Sequence, residues 1–208
     1  MLNLKDKTAV ITGGGSGIGR AIATLFAKQG ASVHIIELTE DAAKNTLLDI
    51  RTEGSSATAH ACNVSDQKAV LATFQTIGCV DILVNNAGIA HIGNVESTSE
   101  ADFDRIFNVN VKGVYNCMFA ALPMMKRNGS GVILNMASVA AHVGLTDRFA
   151  YSMSKGAVFS MTLATAKDYL GDNIRCNSMS PARVHTPFVD GFIAKNYAGR
   201  EAEIFDKL

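Results

Sequence analysis

The chain has 208 residues, 48% apolar and 18% charged, which supports one well-buried domain and excludes a disordered chain or two ordinary domains. Nineteen basic residues balance nineteen acidic ones, so no net field draws it to nucleic acid or to an anionic membrane surface. Cys62, Cys79, Cys117 and Cys176 stand far apart, without metal-ligand or disulfide-framework spacing, and are expected as reduced thiols.

No apolar run reaches the roughly 18 residues of a membrane span and no signal-peptide pattern opens the chain, so a cytoplasmic location is expected. Residues 8–12 (TAVIT) read as an apolar strand that runs into a glycine cluster. A helix over about 17–29 follows, with Ile18, Ile22, Leu25 and Phe26 on one face and Gly30 as its stop. After a strand at 32–37, Thr39 is predicted to cap the next helix, with Glu40 and Asp41 in its first turn. A strand at 57–62, a helix opened by Ser65-Asp66 and running to about 76, and a strand at 80–84 repeat the unit. Ser99 is predicted to cap a long helix over roughly 101–127 that Pro123 bends or interrupts near its end. A fifth strand at 131–136, a helix at 149–170 and a sixth strand at 173–179 complete the pattern. Beyond Pro187 the chain reads as one or two short helices, a substrate lid at about 187–208. Six apolar strands separated by helices predict one α/β domain over 1–208, a doubly wound parallel sheet of the Rossmann type.

The first strand ends in Gly13-Gly14-Gly15-Ser16-Gly17-Ile18-Gly19 and leads straight into a helix. Glycines let the backbone turn sharply and approach a pyrophosphate, and a helix N-terminus offers it unpaired N–H groups. A flexible turn would use the same residues, but the strand before and the helix after favour dinucleotide binding. Glu37, at the end of the second strand, is placed to accept from ribose hydroxyls and to repel a 2′-phosphate. Ser16 brings no cation to offset that repulsion, and Arg20 stands one residue beyond the turn, so NAD is expected over NADP.

Tyr151 and Lys155 are four residues apart on one face of the predicted sixth-segment helix. A free phenol has a pKa of about 10, and a nearby ammonium would bring it toward the range useful for proton transfer to and from an alcohol. Such a pair arises readily by chance. Ser138 at the end of the fifth strand and Asn86-Ala87-Gly88 at the end of the fourth fall on the same carboxyl edge, where doubly wound folds bind ligands.

These parts together resemble the short-chain dehydrogenase/reductase family: TGGGSGIG at 12–19, NNAG at 85–88, Asn110 in NVNVKG, Ser138 in NMASVAA, YSMSK at 151–155 and SPARVHTP at 180–187. The resemblance covers nearly the whole chain, from Thr8 to about Pro187, and implies NAD(P)-dependent interconversion of alcohols and carbonyls. It implies Tyr151 as general acid/base and Lys155 as the cation that lowers its pKa and binds the nicotinamide ribose. Ser138 would hold the substrate oxygen, and Asn110 a water that relays protons from Lys155. It further places Asn63, Val64 and Asn86 to Gly88 along the cofactor, and Pro181 and Val184 at its nicotinamide end. Asn63 stands where many members carry an aspartate, and Ala182 where a glycine usually follows the proline. Members generally continue through a further helix and a seventh strand, which these 208 residues lack. A homo-oligomer, dimer or tetramer, is implied through the helices at 101–127 and 149–170.

His91, His142, Arg148 and His185 are candidates around the mouth of the crevice, which would suit a small polar substrate such as a hydroxy acid or sugar-type compound. None has metal-site spacing, and no metal is expected. Two alternatives stay open: an NADPH-dependent oxoacyl reductase, and a cofactor-binding protein without turnover.

Overall fold

The first strand, β1 (Thr8–Thr12), sends alternate side chains to opposite faces of a sheet, because successive residues of a strand point opposite ways. Val10 enters one core and Ala9 and Ile11 the other. The structure, a computed structural model, describes residues 3–182, 184–196 and 199. From β1 the chain continues through α1 (Gly17–Lys28), β2 (Ser32–Glu37), α2 (Lys44–Thr52), β3 (Ala57–Ala61), α3 (Gln67–Ile77) and β4 (Ile82–Asn85). It then passes through α4 (Glu100–Ile106), α5 (Gly113–Arg127), β5 (Gly131–Met136), α6 (Phe149–Asp168), β6 (Ile174–Met179) and α7 (Pro187–Asn196).

The strands form one parallel sheet in the order β3-β2-β1-β4-β5-β6. Val10, Ile36, Leu83 and Ile133 pack on one face against Val70 and Phe74 of α3 and Cys117, Ala121 and Met125 of α5. On the other face Ala9, Ile11, Val33 and Ile35 pack with Ala23 and Ala27 of α1 and Ile50 of α2. The fold is the expected doubly wound sheet, and its strand order reverses between β1 and β4. A crevice opens there at the carboxyl ends, where ligands bind in such sheets.

The local signals held at several ends. Asp66 caps α3, its carboxylate accepting from the N–H groups of Lys68 and Ala69 at 2.9 and 3.2 Å, and the Ser99 hydroxyl accepts from Asp102 N–H at 3.1 Å. Gly30, with φ of +92°, ends α1. Thr39 occupies the expected cap position but its side chain makes no capping bond, and a 3-10 turn, Glu40–Ala43, precedes α2. The predicted helix over 101–127 is divided by a π-helical stretch, Phe107–Lys112, rather than by Pro123. Pro123 lies inside α5 on its exposed side, where water can satisfy the carbonyl that the proline cannot. Asn173, in the left-handed region at φ of 56°, holds β6 to Ile174–Met179.

Among the described residues no helix is long and apolar enough to cross a membrane, and no group of three or more His, Cys, Asp or Glu could hold a metal ion. Of the predicted lid, Pro187–Asn196 is helical, and 197, 198 and 200–208 lie outside the described residues.

Toward the β3 edge the rings of His34 and His60 stack with centroids 5.2 Å apart, and Nδ1 of His34 lies 2.9 Å from Nε2 of His60. Burial holds both imidazoles below their ordinary range; His60 adds to this at His34, while Glu40 opposes it at His60. The folded state therefore binds fewer protons than the unfolded chain once the pH falls below about 6.5, and stability drops with pH there. The Tm is expected to fall between pH 7.5 and 5.5, and to fall less steeply in His60→Gln. Thermal melts across that range check it; equal slopes would rule the pair out as the cause.

Candidate active site

The crevice holds a cavity of about 380 Å³. Its floor is the glycine turn, and two of the turn's glycines answer a geometric demand. Gly13 has φ of +67°, and a Cβ there would come within 2.9 Å of the Ala87 backbone. A Cβ on Gly19 would lie 2.0 Å from the Gly13 carbonyl oxygen. The turn is tied across the crevice by Asn86, whose Nδ2 donates to the carbonyls of Thr12 and Gly13 at 3.1 and 2.9 Å. Thr12 returns the link, its Oγ1 accepting from the N–H groups of Asn86 and Ala87, each at 3.0 Å.

At the far end of β2, Oε1 of Glu37 accepts from Gly15 N–H at 2.8 Å. Arg20 is paired with Asp49, Nε to Oδ2 at 2.8 Å, so its guanidinium is committed to α2. The Asn63 Oδ1 is engaged by the N–H and hydroxyl of Ser65 at 3.0 and 2.7 Å.

The other end of the cavity carries Ser138, Tyr151 and Lys155. Nζ of Lys155 donates to the Met136 carbonyl at 2.7 Å and stands 5.8 Å from the centroid of the Tyr151 ring. Burial brings the ammonium down to about 8. Burial also raises the Tyr151 phenol, against the pull of the Ser138 hydroxyl and the Arg148 guanidinium toward phenolate. Desolvation thus outweighs the Ser138 hydrogen bond and the Arg148 charge at the phenol, where the Tyr–Lys spacing alone predicted a lowered value.

Most residues expected along the cofactor line this one cavity: Gly13, Ser16, Gly17, Ile18, Glu37, Asn63, Val64, Asn86, Ala87, Gly88, Pro181 and Val184. Gly15 and Gly19 do not reach it; Gly15 backs onto Ala42 and Glu37, and Gly19 packs under Gly13. Asn110 is fully buried in the π-helical stretch, behind Gly88. Its side chain accepts from Ile89 N–H at 2.8 Å and donates to the Ile89 carbonyl and the Ser154 hydroxyl at 2.9 and 3.0 Å.

The four substrate candidates are not brought to the cavity. His91 lies 3.7 Å from the Asp102 carboxylate, His142 bonds Ser180 at 2.9 Å, and His185 bonds Asp190 at 2.9 Å. Arg148 precedes the first turn of α6 and donates to the Asp147 carbonyl at 3.0 Å. Of the four, Arg148 stands near enough to the cavity to pull the Tyr151 phenol toward phenolate.

Sequence reasoning passed over Thr12, Thr186 and the Met136 carbonyl. Thr12 was legible as a hydroxyl closing an apolar strand. Thr186 sits against Gly17, which no local pattern reveals, and a backbone carbonyl has no residue type to announce it.

The family model of the short chain dehydrogenases matches residues 7–196. The chain belongs to that family. A short-chain dehydrogenase uses a nicotinamide cofactor, and this one is an oxidoreductase acting on alcohol or carbonyl substrates. It is 39% identical to an oxidoreductase of Thermotoga maritima over 97% of this chain and 80% of that protein. It is 38% identical to the 2-(R)-hydroxypropyl-CoM dehydrogenase of Xanthobacter autotrophicus (88% and 76% covered) and 34% identical to the D-xylose 1-dehydrogenase of Caulobacter vibrioides (88% and 74%).

Among solved structures, a short-chain dehydrogenase/reductase of Burkholderia xenovorans superposes with a TM-score of 0.94 at 32% identity, covering 98% of this chain and 81% of that one. An NAD+-bound xylitol dehydrogenase gives 0.86 at 30% identity (89% and 74%). A metagenomic short-chain oxidoreductase in complex with NADP gives 0.83 at 30% (86% and 83%). For a short-chain dehydrogenase the geometry fits the dinucleotide: Gly13, Ser16 and Gly17 of the turn line the cavity beside the start of α1, and Glu37, Ser138, Tyr151 and Lys155 line it as well.

Proposed function

We propose that this short-chain dehydrogenase is a cytoplasmic, NAD(H)-dependent dehydrogenase of a small polar hydroxylated substrate, a sugar-type compound or hydroxy acid. One arrangement carries the reading: Ser138, Tyr151 and Lys155 stand at one end of a cavity whose other end presents a carboxylate, Glu37, and no free cation nearby in Arg20. With Arg20 held by Asp49, a 2′-phosphate would face Glu37 without a counter-charge from that side chain.

The cofactor supplies the hydride acceptor or donor; the chain supplies alignment and protons. The Tyr151 phenol gives its proton to the developing alkoxide oxygen or takes it from the alcohol, and Ser138 donates a hydrogen bond to the same oxygen. Lys155 would hold the ribose hydroxyls, and Asn110 would belong to the path that returns protons from solvent.

The substrate class draws support from the D-xylose 1-dehydrogenase, xylitol dehydrogenase and 2-(R)-hydroxypropyl-CoM dehydrogenase relatives, whose names share a hydroxyl on a small polar framework. The whole of 1–208 acts as one domain, with 187–208 as the lid. A homo-oligomer is part of the reading: Phe107, Tyr115 and Phe119 along the α4–α5 rod and Leu163 on α6 are each more than two-fifths exposed.

Titration with NADH and NADPH, followed by nicotinamide fluorescence, tests the cofactor choice. NADH is expected to bind at least about tenfold more tightly, and Glu37→Ala to narrow the gap. Tighter NADPH binding by the wild-type chain would overturn the reading and bring the NADPH-dependent reductase forward.

A further inference from the structure

The polar groups that hold the glycine turn from behind lie outside the cavity. Thr46, on the first turn of α2, is fully buried. Its hydroxyl hydrogen is shared between the carbonyl oxygens of Gly14 and Gly15 at 3.0 and 3.1 Å. The Gly14 carbonyl and the Gly15 N–H belong to one peptide plane. Thr46 of α2 holds the oxygen side of that plane, and Glu37 of β2 accepts from its N–H at 2.8 Å. In a trans peptide the two groups point opposite ways, so the plane is fixed from both ends.

The next plane pairs the Gly15 carbonyl with the Ser16 N–H. With that carbonyl turned to Thr46, the Ser16 N–H is turned away from α2, toward the cavity that Ser16 lines. One hydroxyl therefore orients two consecutive peptides, one that presets a Glu37 oxygen and one that aims a donor at the cleft. Gly15 is confined at this place by the same packing, since a Cβ would come 2.3 Å from the Ala42 carbonyl oxygen.

We infer that Thr46 is a positioning residue for dinucleotide binding, acting through the Gly14 and Gly15 peptides on Ser16 and Glu37. The inference rests on the reading of this cavity as the nicotinamide dinucleotide site. Thr46→Val removes the hydroxyl at nearly constant shape, and Thr46→Ser keeps it. Purified full-length wild type and both variants are titrated with NADH and with NADPH, with thermal midpoints recorded alongside. The Val variant is expected to bind the dinucleotide that wild type prefers about tenfold more weakly, and the Ser variant within about twofold of wild type.

Unchanged binding in Val, or equal weakening in Val and Ser, overturns the inference. If Val fails to fold, Thr46→Ala replaces it in the same comparison with Ser. A wild-type preference for NADPH would sink the NAD reading alone, because the Thr46 comparison is then made with NADPH. A wild type that binds neither overturns both.

Discussion

Tyr151→Phe is expected to lower kcat by about 10²–10⁴-fold while leaving NADH affinity within about twofold. The substitution removes one oxygen and leaves the ring in its buried place beside Lys155. On the proposed reading, what is lost is the proton that the phenol would exchange with the substrate oxygen. The Ser138 hydroxyl accepts from Ala140 N–H at 3.2 Å. Lys155 keeps its Nζ on the Met136 carbonyl at 2.7 Å. Steady-state turnover of any accepted alcohol, measured beside NADH fluorescence, tests this. Retention of kcat within threefold would remove Tyr151 from the chemistry, whatever the cofactor.

The second large effect is expected at Gly19, through the backbone alone. A Cβ there would meet the Gly13 carbonyl oxygen at 2.0 Å and Asn86 Nδ2 at 2.5 Å. Neither group can retreat cheaply. They are bonded to each other at 2.9 Å, and Gly13 N–H is bonded to the Ile36 carbonyl at 2.9 Å. Gly19→Ala must therefore push α1 away from the turn and open the place where the pyrophosphate would sit. Overpacking of this kind costs about 1–3 kcal/mol, which for a chain of this size lowers Tm by roughly 2–12 °C. NADH affinity is expected to fall by more than about tenfold, a larger loss than the stability change alone implies. Gly156→Ala in α6 is the control, since no atom lies within 4 Å of its added Cβ. It is expected to leave Tm unchanged or raise it slightly. Equal behaviour of the two variants would refute the steric argument.

The parts of this site that could be read in advance are those whose residues are close in the chain. The apolar strand, the glycine turn and the helix after it are contiguous, and hydrogen bonding and sterics within about twelve residues decide them. Tyr151 and Lys155 share a helix face for the same reason. The doubly wound sheet followed from alternation of strands and helices, because parallel strands need crossovers and both faces need covering.

The misreadings share a cause as well. Thr39 satisfies the local rule for a cap, yet the chain there makes a 3-10 turn that brings Ala42 against Gly15 and lets Thr46 reach the glycine carbonyls. Arg20, a solvent-facing or phosphate-facing cation by position, pairs with Asp49 on another helix.

By itself, then, the sequence determined the fold class and the glycine turn between strand and helix, since these rest on periodicity and short spacings that any packing must respect. Tertiary structure alone decided the proton affinity and aim of the groups. The Tyr151 phenol is raised and the Lys155 ammonium lowered because burial removes water from both, and burial depends on what the rest of the chain lays over them. It also decided which carboxylate holds which cation and which hydroxyl holds the turn. Those are contacts between segments, and a peptide carbonyl or a distant side chain leaves no mark in the local pattern of residues.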